Sequence, residues 1–500
     1  MSFLRNAGFN FLGALLPALA LFITIPLIVH RLGADAYGAL VLITSIVGYF
    51  GIIDINATAG SVKYVAEYRA TGEHGRANEV VTFGLLLYTL IGLAGALLLW
   101  FGAGWLVRGV FKIPDVWRSE AELALQVSAF AFMVGQLQLY LQSIPQALQR
   151  YDLSGKFDAV FGTLIPLVTI AAVLAGGGLV AIVAARLAVS LVHCACLVLL
   201  LKRLLPTYRP LLPSRDTMKR VSSFSAFAYL QRIAAVTYLN ADKLLIGAQQ
   251  STLALATYVI PYTLVSRVFS MMYRLTQSVF PMTSALAASG QLVELQHKYV
   301  YATRYTVYLN ACICLLLATY AQELLHYWMG DKLGPVAPVV LVIVCYCLFL
   351  ESLTNIPSLV NDGLGHPHIT GIAALLRATL GLAGAWWALT NYGIVALALT
   401  QLFVSAIMCV GFVVLVHRWS LPWSWRSVPR RVYGPGGALL VAGSIAVFWR
   451  TGHSPITGAE FLGSAISLVV VLVSIGLFVV LSPEHRVRLV GVVSRRLGRA

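Results

Sequence analysis

Arg267 and Arg274 stand seven residues apart in the stretch LVSRVFSMMYRL, 264–275, inside an otherwise apolar run. On a helix that spacing is nearly two turns, so both guanidinium groups leave on one side, about 10 Å apart along the axis. Facing lipid at mid-bilayer, each cation would cost about 2.5–3.5 kcal/mol on insertion scales. In a wet cavity it costs little, and it presents a planar fork that binds phosphate oxygens in pairs. Arg232, Lys243, Arg377 and Arg186 are further cations in apolar stretches. Arg232 and Lys243 are eleven residues apart, which returns to almost the same helix face. Such a set suits a diphosphate or an acidic sugar and suits a cationic drug badly.

The plainer reading is that these cations snorkel or form internal pairs. It weighs most for Arg186 and Lys243, near span ends, and least for Arg267 and Arg274. The acids are Asp242 and Glu351 within spans, with Asp54 and Asp158 near span ends. Glu351 is either a partner for one of the arginines or an ion-coupling site. Asp242 cannot face its neighbour Lys243, but can pair across helices. The seven cysteines include the pairs Cys194/Cys196, Cys312/Cys314 and Cys345/Cys347. A helix points C-x-C positions nearly opposite ways, so a metal site or disulfide framework is not expected.

The elements that must position these residues are membrane spans. The chain is 500 residues long, 59% hydrophobic and 11% charged, against about 25% charged in soluble chains. Its apolar residues come in runs of bilayer-crossing length, without the alternation of a β-barrel. Spans are expected near 9–30, 37–57, 80–106, 123–145, 157–176, 179–201, 223–247, 254–282, 299–320, 336–360, 369–389, 392–416, 435–450 and 460–481. The fold expected is an all-α polytopic bundle of fourteen spans, because lipid offers no partner to an unpaired backbone group. The start, MSFLRNAGFNFLG, reads as the head of an uncleaved first span.

A net charge of +16 would suggest nucleic acid in a soluble chain, but here basic loops set orientation. The loops and ends on the N-terminal side hold 22 Lys and Arg, the opposite loops 6. That asymmetry puts both termini in the cytoplasm. The opposite loops are short and gather no acid/base pair, so no catalytic residue is expected and the chain is read as no enzyme.

Two echoes suggest an internal repeat. IPQALQRYDLSGK (144–156) and IPSLVNDGLGHPH (356–368) are offset by 212; Leu32–Gly33 and Ile246–Gly247 by 214. They divide the chain into an N-terminal lobe 1–201, a C-terminal lobe 223–417, and accessory spans with a basic tail, 418–500. The segment 202–222, KRLLPTYRPLLPSRDTMKRVS, is a linker between lobes or a patch for anionic lipid.

The opening LRNAGFNFLG and the stretch 26–73 resemble polysaccharide repeat-unit flippases of the Wzx type, in the multidrug/oligosaccharidyl-lipid/polysaccharide exporter superfamily. The resemblance rests on Arg31-Leu32-Gly33, Tyr37-Gly38, Asp54, KYVAEY (63–68), NADKLLIG (240–247) and Tyr258. It implies two six-helix lobes of the multidrug-exporter (MATE) type plus two extra helices, and a central cavity lined by spans 1, 2, 7 and 8. It further implies alternating access, driven by a proton or sodium gradient if coupled at all, with no cofactor and no metal. The implied substrate is an undecaprenyl-diphosphate-linked oligosaccharide on its way to an O-antigen or exopolysaccharide, carried across a bacterial inner membrane. The implied partners are membrane lipids and the polysaccharide polymerase and chain-length proteins. A lipid II flippase is the nearest alternative. A multidrug exporter is the next, though residues 9–29 lack the deep acid expected of one.

Overall fold

The computed structural model describes residues 19–277, 279–421, 432–451 and 458–486. The start of the first expected span, Arg426, Arg430 and Arg431, and the tail arginines beyond Arg486 lie outside the described residues. Among the described residues the chain is helical throughout, with no strand. Eleven helices among the described residues are long and apolar enough to cross a membrane. The described parts of the other three expected spans are also helical but fall short of that measure. Helix α1 is described only from Leu19 to Leu32. Helix α8, Arg215–Gln249, carries many polar and charged residues, and Gly434–Thr451 is short and glycine-rich.

Packing groups the chain into two compact units, residues 1–260 with 385–394, and residues 261–384 with 395–500. In the first unit, α4 (His74–Trp105) lies along α5 (Asp115–Ala147), and α5 along α7 (Leu179–Leu204). Small residues make the first of these seams close. A Cβ at Gly84 would sit 1.9 Å from the Tyr140 ring, and one at Gly95 2.2 Å from Phe132. Tyr88 stacks on Tyr140 between them, ring centroids 5.3 Å apart. Helix α2 (Ala34–Phe50) meets α8 in the same manner, Gly48 against Asn240 and Gly247 against Leu42. Gly33, at φ 94°, separates α1 from α2 in a conformation that a side chain would strain.

The segment 205–214 is strapped to α4. Tyr208 and Thr82 share a hydrogen bond of 2.9 Å, and Glu79 accepts from the Ser214 backbone and hydroxyl and from Thr217. Ser214 in turn caps α8 through the Thr217 N–H.

The second unit is organised on α11, Leu292–Thr319, which packs on α13 (Val336–Ser352) and on Gly434–Thr451. The glycines of the latter form its packing face: Cβ atoms at Gly436 and Gly443 would lie 2.8 and 2.6 Å from Val307 and Leu315. Two expected spans are each broken in two. Helix α9, Thr252–Thr276, gives way to α10, Val279–Ala288. Helix α13 is interrupted at Leu353–Thr354 and resumes as α14, Asn355–Gly363. The Ile-Pro echoes therefore occupy different local settings. Pro145 lies in the last turn of α5, whereas Pro357 lies in the first turn of α14.

Candidate functional site

Helix α2 runs into a 3-10 turn, Gly51–Ile53, that delivers Asp54 into the first unit at 1% exposure. Asn56 follows in the left-handed region, φ 56° and ψ 37°, before α3 (Ala57–Ala70) begins. This bend is held by polar contacts. The Tyr88 hydroxyl donates to Asp54 Oδ1 at 2.6 Å, and the Asn56 N–H to the same oxygen at 2.9 Å. Tyr229 of α8 donates to the Ile52 carbonyl at 2.9 Å. Asp54 Oδ2 faces Arg232 Nη2 of α8 at 3.8 Å, the outer limit of an ion pair. The Arg232 side chain keeps 36% exposure, and its Nε is buried with no hydrogen-bond partner among the described residues. The carboxylate thus orients Arg232 without saturating it, and donors remain for an oxyanion.

In the second unit, Arg267 and Arg274 are both exposed on α9 and make no ion pair among the described residues. Arg274 lies in the last turn of the helix, where a cation complements the exposed carbonyl end.

Other expected site residues have internal partners. Arg377 of α15 (Pro367–Tyr392) is ion-paired with Glu351 of α13. The Cys347 thiol and the Ser405 hydroxyl approach the same carboxylate, at 3.6 and 3.5 Å. Lys243 Nζ donates to the Leu239 carbonyl one turn earlier. Asp242 accepts from the Lys243 backbone at 2.8 Å and from the Tyr258 hydroxyl. Arg186 donates to Thr169 Oγ1 at 2.9 Å.

Sequence reasoning did not single out four of the polar residues. Tyr88, the strongest contact of Asp54, has no sequence signal, because the pair is 34 residues apart. Glu323 and Arg450 form an ion pair with the carboxylate fully buried, a contact 127 residues apart in the chain. Arg304 lies within an apolar span and donates to the Val479 carbonyl at 2.9 Å.

The described helices define a polytopic helical membrane protein. Its backbone is similar to that of the lipid II flippase MurJ in an inward closed conformation, with a TM-score of 0.72 at 12% identity, covering 93% of this chain and 98% of that one. It is also similar to an inward-facing multidrug resistance MATE transporter of the MOP superfamily, with a TM-score of 0.65 at 13% identity over 90% and 100% of the two chains. Among curated proteins, the putative O-antigen transporter of Shigella flexneri is 21% identical over 407 residues, covering 80% of this chain and 94% of that protein. The membrane protein EpsK of Bacillus subtilis is 23% identical over 350 residues, 68% of each chain. Residues 28–338 match the model of the polysaccharide biosynthesis protein family, and the chain belongs to that family.

Proposed function

We propose that this protein is a flippase that moves an undecaprenyl-diphosphate-linked oligosaccharide from the cytoplasmic to the periplasmic leaflet of a bacterial inner membrane by alternating access. Its family membership, its similarity to a putative O-antigen transporter and its flippase-like fold support the reading. The observation that carries it is the pair Arg267 and Arg274, two exposed cations on one face of an apolar helix with no ion pair among the described residues. Unneutralised guanidinium groups at that spacing match a diphosphate, which spreads its charge over several oxygens. Arg232, oriented by Asp54, is a separate cationic position of the first unit that suits an anion such as an acidic sugar. Arg377, committed to Glu351, and Lys243, bonded to its own helix, hold the fold before they hold substrate.

Arg267→Ala and Arg274→Ala should each abolish glycan export in cells lacking the native protein, with membrane level and detergent thermal stability unchanged. Lysine at either position should restore export only in part, because a point charge does not reproduce the bidentate fork. Full export by both alanine variants would overturn the assignment.

A further inference from the structure

The second unit contains a cavity of about 480 Å³ that includes none of the cations assigned to the glycan carrier. Its main wall is one face of α11: Lys298, Tyr301, Ala302, Tyr305 and Leu309 follow the three- and four-residue steps that align on a helix. That face runs from a charged end to an apolar one. The wall begins with His297 and Lys298, passes two tyrosines, and ends at Leu309, about 16 Å further along the axis. The facing wall is apolar and comes from α9 and α10, with Met272 and Leu275 among its residues.

The mouth of the cavity is closed on one side by the chain leaving the last helix, Gly458–Ile475. His485 bonds the Tyr305 hydroxyl at 2.8 Å and meets the Tyr301 ring edge-on, centroids 5.1 Å apart. The Ser482 N–H donates to the Tyr305 hydroxyl at 3.3 Å. Arg304 and Arg486 donate to the Val479 and Phe478 carbonyls, groups that the end of this helix leaves open. These hydrogen bonds fix the segment against α11.

An apolar slot that opens through a tyrosine collar onto cations has the polarity profile of a membrane lipid, and tyrosine at that junction is typical of the membrane interface. Leu275 and Leu309 are 54% and 51% exposed, so the apolar end is open to the surroundings of the helices. We propose that this cavity is a binding site for a single anionic phospholipid. Its phosphate rests against Lys298, His297 and the tyrosine hydroxyls, and one acyl chain lies across Met272, Leu275 and Leu309. Lys298 also pairs with Glu294 at 2.6 Å, one turn away on an exposed surface, and such a pair is exchanged at little cost. The site goes beyond the glycan carrier and stands whether or not the chain moves one.

The test is native mass spectrometry of the delipidated full chain, titrated with dioleoylphosphatidylglycerol, with dioleoylphosphatidylcholine and with inorganic phosphate. One phosphatidylglycerol should bind saturably, and the other two probes should not. Lys298→Glu, an exposed position that leaves the packing intact, should weaken binding about tenfold or more, as expected for losing a charged hydrogen bond. Thr306→Phe, which fills the cavity, should block it. Equal phosphatidylglycerol binding by the parent and both variants would reduce the lipid to a nonspecific coat and overturn the site. Equal binding of phosphatidylcholine would overturn the anionic class, and binding of phosphate alone would overturn the lipid. Should the phenylalanine variant not fold, Lys298→Glu decides the question by itself.

Discussion

Asp54 gives the sharpest test of how the first unit holds Arg232. At 3.8 Å the charge pair is worth about 1 kcal/mol at the dielectric of water and about 4 kcal/mol at an effective value of 20. The carboxylate is buried at 1% exposure while the guanidinium keeps 36%, so solvent screening places the loss between these limits, about 1–3 kcal/mol. Asp54→Asn removes the charge but keeps an oxygen for the Tyr88 hydroxyl and the Asn56 N–H. Asp54→Ala also strands those two donors, which adds about 1–3 kcal/mol for each one left buried without a partner. Denaturant unfolding in detergent should therefore rank the parent above the asparagine variant and the asparagine above the alanine variant. A cycle of Asp54→Asn, Arg232→Gln and the double variant isolates the pair, and its coupling should be about 1–3 kcal/mol. Additivity within about 0.5 kcal/mol would refute the idea that Asp54 orients Arg232 through charge.

Three further outcomes follow from the packing and the charge pattern. Arg450→Met should lower stability by about 3–5 kcal/mol, because the buried Glu323 carboxylate loses its ion-pair partner, and Glu323→Leu in the same chain should recover most of the loss in detergent unfolding. Gly443→Leu should cost about 1–3 kcal/mol by the same measurement, since even its Cβ would lie 2.6 Å from the Leu315 side chain. Reporter fusions after Leu212 and Lys332 should give cytoplasmic and periplasmic signals respectively, and a periplasmic signal at Leu212 would reverse the orientation drawn from the basic loops.

The helical architecture is legible in the sequence because bilayer length and backbone satisfaction leave little choice of form. The breaks were not. Nothing in an apolar run marks Leu353–Thr354 or Gln277 as an interruption, since hydropathy is blind to local backbone turns. The glycines of the thirteenth span lower its hydropathy, and Gly436 and Gly443 are the residues that let it sit against α11. Intramembrane cations were found by their cost, a one-residue signal. Their partners depend on contacts far apart in the chain, as with Glu351 and Arg377 or Glu323 and Arg450. The 202–222 segment read as a linker by composition, but its hydrogen bonds to Glu79 and Thr82 show that 208–217 is fastened along α4.

Partnership separates the charges of this bundle by their work. A cation that spends its donors on a buried carboxylate, as Arg450 does, is tied into the packing, and a passing anion would have to break that tie. Arg377 has the same commitment, with a thiol and a hydroxyl closing around the shared carboxylate. Arg267 and Arg274 have no ion pair among the described residues, so their energetic cost is relieved only by water or by an anion. The proposed function requires a diphosphate to be bound and then released, which favours cations that water can satisfy once the anion leaves. Arg232 lies between these cases. Its ion pair at 3.8 Å is close enough to set its direction and too long to saturate it.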